Sequence, residues 1–195
     1  MRIGIMGGTF DPVHMGHLIL AETIRSDYPL DKILFMPAAV PPHKQGKIVC
    51  SGEMRLRMLS AALEAYPYFD ILDYELIKGG VSYTVDTVRW LHDSSPYYKD
   101  ELFLIIGGDS LVEMDTWRSP MEILKNIKTL VVARPGFNFD QVKTEFLQAV
   151  EIVDTPLIEI SASQIRQRVQ NQQSIHFWVP EAVEIFIKEN GLYCE

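Results

Sequence analysis

His14 and His17 stand three residues apart in "GGTFDPVHMGH", the stretch from Gly7 to His17. If that turn is helical, both imidazoles project from one face. With a reference pKa of about 6.5, such rings can donate hydrogen bonds to phosphate oxygens or become cationic beside them. Gly7 and Gly8 just before them let the backbone approach a ligand closely. Gly16 places no side chain beneath the two rings. The helix that follows offers unpaired N–H groups and the positive end of a dipole. Together these residues fit a phosphate cradle. Two rivals share the pattern: a zinc pair, which would want a further ligand at suitable spacing, and a tight turn carrying surface histidines. Neither GxGxxG nor GxxxxGK[ST] occurs, so the common phosphate fingerprints are absent.

Such a cradle needs a strand before it and a helix after it. Ile3 to Met6 reads as a short buried strand, and Leu18, Ala21, Ile24 and Tyr28 recur at helical spacing. "KILFMPA" is a second strand, and Pro41-Pro42 make the next stretch a loop. Ser51 can cap a helix beginning near Glu53, with Leu56, Leu59, Leu63 and Tyr66 on one apolar face. "FDILDYEL" reads as a strand, "SYTVDTVRWLH" as a helix with its start, "LFLIIGGD" and "KTLVVARPG" as strands. "EIVDTPLIEI" is extended. "SASQIRQRVQN" is a helix capped by Ser161 or Ser163 with Ile165 and Val169 inward. "VPEAVEIFIKENG" is a closing helix with Pro180 in its first turn.

Alternating strands and helices predict an α/β fold, Rossmann-like and doubly wound, with a mainly parallel sheet and helices on both faces. One domain is expected over residues 1–195, with the helical part from about 161 packed on it. Ligands in such sheets sit beyond the carboxyl ends of the strands, where the glycine-rich loops fall.

The charge balance narrows the ligand. A net charge of −8 argues against nucleic acid and anionic membranes, which call for a basic surface. A small anion is still admissible, provided cations and amide dipoles gather locally around it. No apolar run approaches the roughly 18 residues of a membrane span, and the start of the chain lacks the pattern of a signal peptide. Cys50 and Cys194, far apart and without CxxC spacing, fit two reduced thiols in a cytoplasmic protein.

"GTFDPVHMGH" has the GxFDPxHxGH form of nucleotidyltransferases that join a nucleoside monophosphate to another phosphate. Their late signature, ISSTxIR, is matched by "ISASQIR", Ile160 to Arg166, with Ala162 where serine is usual and Ser163 where threonine is usual. Ser163 keeps the hydroxyl; Ala162 loses one. "PPHK", "SYTVDT", "IIGGDS", Trp117 and "ARPG" narrow the resemblance to the bacterial nicotinate mononucleotide adenylyltransferases, and it runs from Met1 to "NGLY".

The resemblance implies that ATP and nicotinate mononucleotide give deamido-NAD and pyrophosphate, with Mg²⁺ carried on ATP and few or no protein metal ligands. It implies catalytic roles for His14, His17 and Arg166, with His17 the main stabiliser of the α-phosphate. ATP would meet Gly7, Gly8, Thr9, Phe10, Gly16, Gly107, Asp109, Arg134, Ser161, Ser163 and Ile165. Nicotinate mononucleotide would meet Thr9, Lys44, Tyr83, Thr84 and Trp117, with His43 a weaker addition. Helix-start amides at Tyr83 and Thr84 favour a carboxylate, and Trp117 can stack on a cationic pyridine ring. Asp109 could accept from ribose hydroxyls or cap the next helix. Adenylyltransferases for nicotinamide mononucleotide or pantetheine phosphate stay open as alternatives, as do a nucleotide sensor without turnover and a homodimeric assembly.

Overall fold

Parallel strands buried on both faces should be apolar almost throughout rather than alternating, and the central strands here are. In a computed structural model, which describes residues 1–40, 49–133 and 136–194, six strands form one all-parallel sheet in the order β3-β2-β1-β4-β5-β6. They are β1 (Arg2–Gly8), β2 (Lys32–Pro37), β3 (Phe69–Ile71), β4 (Glu101–Gly107), β5 (Lys128–Ala133) and β6 (Val150–Asp154). This is the doubly wound order, with its topological switch between β1 and β4. No described helix is long and apolar enough to cross a membrane.

Successive residues of each strand feed opposite cores. Ile33, Phe35, Phe103 and Ile105 face one, beneath helices α1 (Met15–Asp27) and α2 (Gly52–Leu63). Leu34, Met36, Leu104 and Ile106 face the other, beneath α4 (Thr84–Asp93) and α6 (Pro120–Asn126). Two short helices, α3 (Tyr74–Lys78) and α5 (Gly108–Val112), sit at strand ends, and a 3-10 turn spans Glu113–Thr116. A further short helix, α7 (Thr144–Leu147), precedes β6, and α8 (Ala162–Gln170) and α9 (Glu181–Glu189) close the chain. Ile165, Val183, Ile187 and Tyr193 belong to the same core as Met6 and Phe10, so the C-terminal helices complete the first face.

Several elements fall where the pattern put them, and the exceptions have causes. Ser51 caps α2, accepting from the Met54 N–H, but the buried face is Arg55, Met58, Leu59, Ala62 and Leu63, with Leu56 only half-buried. "FDILDYEL" is a strand only to Ile71. The chain then turns into α3, which delivers the Glu75 carboxyl to a buried partner on α4. Pro180 is the N-cap of α9 rather than part of its first turn.

Candidate active site

All six strands point their carboxyl ends toward one edge, and two cavities open there. The larger, about 310 Å³, lies between the ends of β1 and β2 and the start of α4. Gly7, Gly8, Thr9, Tyr83, Thr84 and Trp117 line it. The smaller, about 220 Å³, is lined by His14, Gly16, His17, Asp109, Phe137 and Ile158 among others. Leu20, Gly107 and Val132 belong to both, so the cavities meet over the β1/β4 switch.

The histidine pair forms the edge of the smaller cavity. His14 is the N-cap of α1, with extended backbone, and His17 follows one turn later. Their rings stack with centroids 3.6 Å apart. The His14 backbone N–H donates to Nδ1 of His17 at 3.2 Å, which places the proton of a neutral His17 ring on Nε2. The Phe10 ring meets His17 edge-on at 5.0 Å. His14 is 7% exposed, and its Nδ1 has no hydrogen-bond partner among the described residues. Burial pulls its pKa down to about 4, so the ring is neutral at physiological pH rather than cationic.

Gly16 opens space for that ring more than for a ligand: a Cβ there would lie 3.1 Å from Nδ1 of His14. Gly8 is needed for a similar reason. Phe10 turns back at φ 50°, and a Cβ on Gly8 would lie 2.7 Å from the tip of its ring.

Three polar anchors, two of them buried, hold the loop between β1 and α1. The Asp11 carboxylate, 2% exposed, accepts from the N–H groups of Val49 (2.9 Å) and Cys50 (3.3 Å) and from the Tyr193 hydroxyl (2.8 Å). Arg166 on α8 donates to the Asp11 carbonyl at 2.7 Å, which brings the late signature to the early one. Arg55, 1% exposed, donates to the carbonyls of Thr9 and Ala38 at 2.8 Å each and Ala39 at 3.4 Å. Burial lowers its pKa, and Asp11 opposes that shift.

The remaining expected residues divide. Asp109 lines the smaller cavity; the N-cap of α5 is Gly107, so capping is not its role. Phe10 and Ile165 are buried in the core, leaving only their backbones for a ligand. Ser161 caps α8 in a reciprocal box with Gln164, and its Oγ lies 3.1 Å from that of exposed Ser163. Lys44, His43 and Arg134 lie outside the described residues. Among the described residues, no three His, Cys, Asp or Glu side chains converge as a metal site.

A family model described as cytidylyltransferase-like matches residues 5–168, a span that includes both histidines and Arg166. The chain belongs to the cytidylyltransferase-like family. Within it, the chain is 40% identical over 98% of its length to the probable nicotinate-nucleotide adenylyltransferase of Desulfitobacterium hafniense, covering 95% of that protein. To the protein of the same name from Geobacillus thermodenitrificans it is 43% identical over 98% of its length, covering 86% of that protein. Its fold is similar to Plasmodium falciparum nicotinic acid mononucleotide adenylyltransferase complexed with NaAD (TM-score 0.79, 16% identity, 98% and 97% of the two chains covered).

In this member of the cytidylyltransferase-like family, the sequence reading passed over Arg55, Asp11 and Glu75, all buried and charged. Arg55 sits within a helix and reads as its polar face. Asp11 reads only as a turn residue before proline. For Asp11 and Glu75 the available signal was position, since each follows within four residues a strand end that the topology brings to the site; Arg55, in the first turn of α2, carried no such signal.

Proposed function

We propose that the chain transfers the adenylyl group of ATP to nicotinate mononucleotide, giving deamido-NAD and pyrophosphate. The observation that carries this reading is the pair of cavities meeting at Leu20, Gly107 and Val132, with the two histidines beside the smaller one. Two anionic substrates seated there would bring acceptor phosphate and α-phosphorus together. An oxygen of the acceptor 5′-phosphate attacks the α-phosphorus in line. A P–O bond forms, the α–β bridging bond breaks, and pyrophosphate leaves with the electron pair. The substrate is the nucleophile, so the protein's part is alignment and charge stabilisation.

The residue roles proposed are these. Nε2–H of His17 donates to the α-phosphate as charge builds. His14, neutral and stacked on it, fixes the ring and offers a second donor. Arg166, anchored on Asp11, reaches the leaving phosphates with the α8 N-terminus and Ser163. Asp109 accepts from the adenosine ribose, and Arg134 is assigned to ATP on the resemblance alone. In the larger cavity, amides at Tyr83 and Thr84 receive the nicotinate carboxylate and Trp117 covers the ring; the acceptor phosphate is assigned to Lys44 with His43 on the resemblance alone. Mg²⁺ enters with ATP, held by phosphate oxygens and water as this hard cation commonly is.

The test is pyrophosphate release with ATP and each of nicotinate mononucleotide, nicotinamide mononucleotide and pantetheine phosphate. The highest kcat/KM is expected with nicotinate mononucleotide. Preference for either other acceptor, or binding without pyrophosphate release, would overturn the reading.

A further inference from the structure

One buried carboxyl in the larger cavity has no role in the scheme above. Glu75 is 5% exposed and lines that cavity together with Ser82, Tyr83 and Thr84. A carboxyl buried beside the place where another carboxylate should dock is costly unless its hydrogen bonds serve an end.

Those bonds converge on the segment that receives the ring. Thr87, one turn into α4, donates from Oγ1 to Oε1 of Glu75 at 2.8 Å. The Ser82 hydroxyl faces the same carboxyl and favours its ionised form. Ser82 Oγ accepts from the Ala39 N–H at 2.9 Å, so its single proton is available to the carboxyl. The Ser82 N–H donates to the Val40 carbonyl at 3.0 Å. Residue 82 is thus tied to the chain just after β2 with its hydroxyl turned toward Glu75, and Thr87 ties the next turn to that carboxyl. Between these ties, Tyr83 occupies the N-cap of α4 with φ −101° and ψ 121° and supplies no side-chain cap to the first-turn amides.

We infer that Glu75 is a positioning residue of the acceptor pocket, fixing Ser82–Thr84 so that their amides meet the carboxylate of the pyridine nucleotide. Its value lies in accepting hydrogen bonds, and its own charge works against a second carboxylate nearby. Burial raises the Glu75 pKa against its hydrogen bonds, which reduces that charge. This inference rests on the reading that nicotinate mononucleotide is the acceptor.

The test uses the intact chain with Glu75→Ala, Glu75→Gln and Thr87→Val, varying each substrate separately. Glu75→Ala is expected to raise KM for nicotinate mononucleotide at least about tenfold, with kcat and the KM for ATP within about twofold. The rise should be smaller for nicotinamide mononucleotide. Glu75→Gln, which keeps an acceptor oxygen for Thr87, should restore most of the loss, and Thr87→Val should move the same KM partway. An unchanged acceptor KM, or equal damage to both substrates, overturns the role. If Glu75→Ala does not fold, an unchanged acceptor KM in Thr87→Val overturns it instead. Wild-type protein that adenylylates a different acceptor sinks the functional reading itself, an outcome separate from any variant.

Discussion

The rings of His14 and His17 stack at 3.6 Å while the amide of His14 donates to Nδ1 of His17. One residue therefore sets both the orientation and the tautomer of the other. Nε2 of His17 becomes the donor, and the buried His14 beside it adds no competing charge.

His17→Ala should lower kcat by at least about a hundredfold, the range for one lost transition-state donor. The fold should survive, because the half-buried ring is held at the rim of a cavity. Steady-state kinetics beside a thermal melt measure both. Near-normal turnover removes His17 from its role.

His14 predicts an acid-sensitive stability. Its pKa is about 4 when folded against 6.5 ordinarily, so between those values the unfolded chain binds more protons. The contribution is full above about pH 6.5 and is lost as pH falls toward about 4. At roughly 1.4 kcal/mol per pH unit the total is about 3 kcal/mol. Denaturant titrations at pH 7.5 and 4.5 should show His14→Asn flattening the slope. An identical slope in the variant contradicts this.

Arg55→Met should destabilise the protein by roughly 3 kcal/mol, because charge-assisted bonds to the carbonyls of the half-buried Thr9, Ala38 and Ala39 disappear and methionine supplies no donor in their place. The readout is the midpoint of urea unfolding. A midpoint matching wild type would show that those carbonyls find water.

Tyr193→Phe removes the hydroxyl that donates to Asp11 and leaves a buried carboxylate with two amide donors. The expected cost is about 1–3 kcal/mol, with kcat falling as Asp11, and Arg166 with it, loosens. Asp11→Asn should share this deficit, so the double variant should be less than additive. Full additivity would separate the two residues.

Much of the fold was legible because the central strands are apolar on both faces and the turns carry glycine, proline or a capping serine. The histidines were legible because their function depends on local spacing. Arg55, Asp11 and Glu75 were not, since each is defined by partners that only the tertiary fold supplies: a carbonyl 46 residues away, a hydroxyl 182 residues away, a threonine on another helix. The same limit explains "FDILDYEL", whose alternation suits a strand until Glu75 needs Thr87. Asp109 shows the converse, for a residue at a helix start looks like a cap until the backbone places the cap at Gly107.

The bond between Asp11 and Tyr193 also orders events in time. The first loop leaves the ribosome long before the residue that fastens it, and at 5–20 residues per second the wait is roughly 10–40 s. During that interval a nascent chain carries both histidines without the tether that seats them. Seating of the loop that carries them is thereby deferred until Tyr193 has been made.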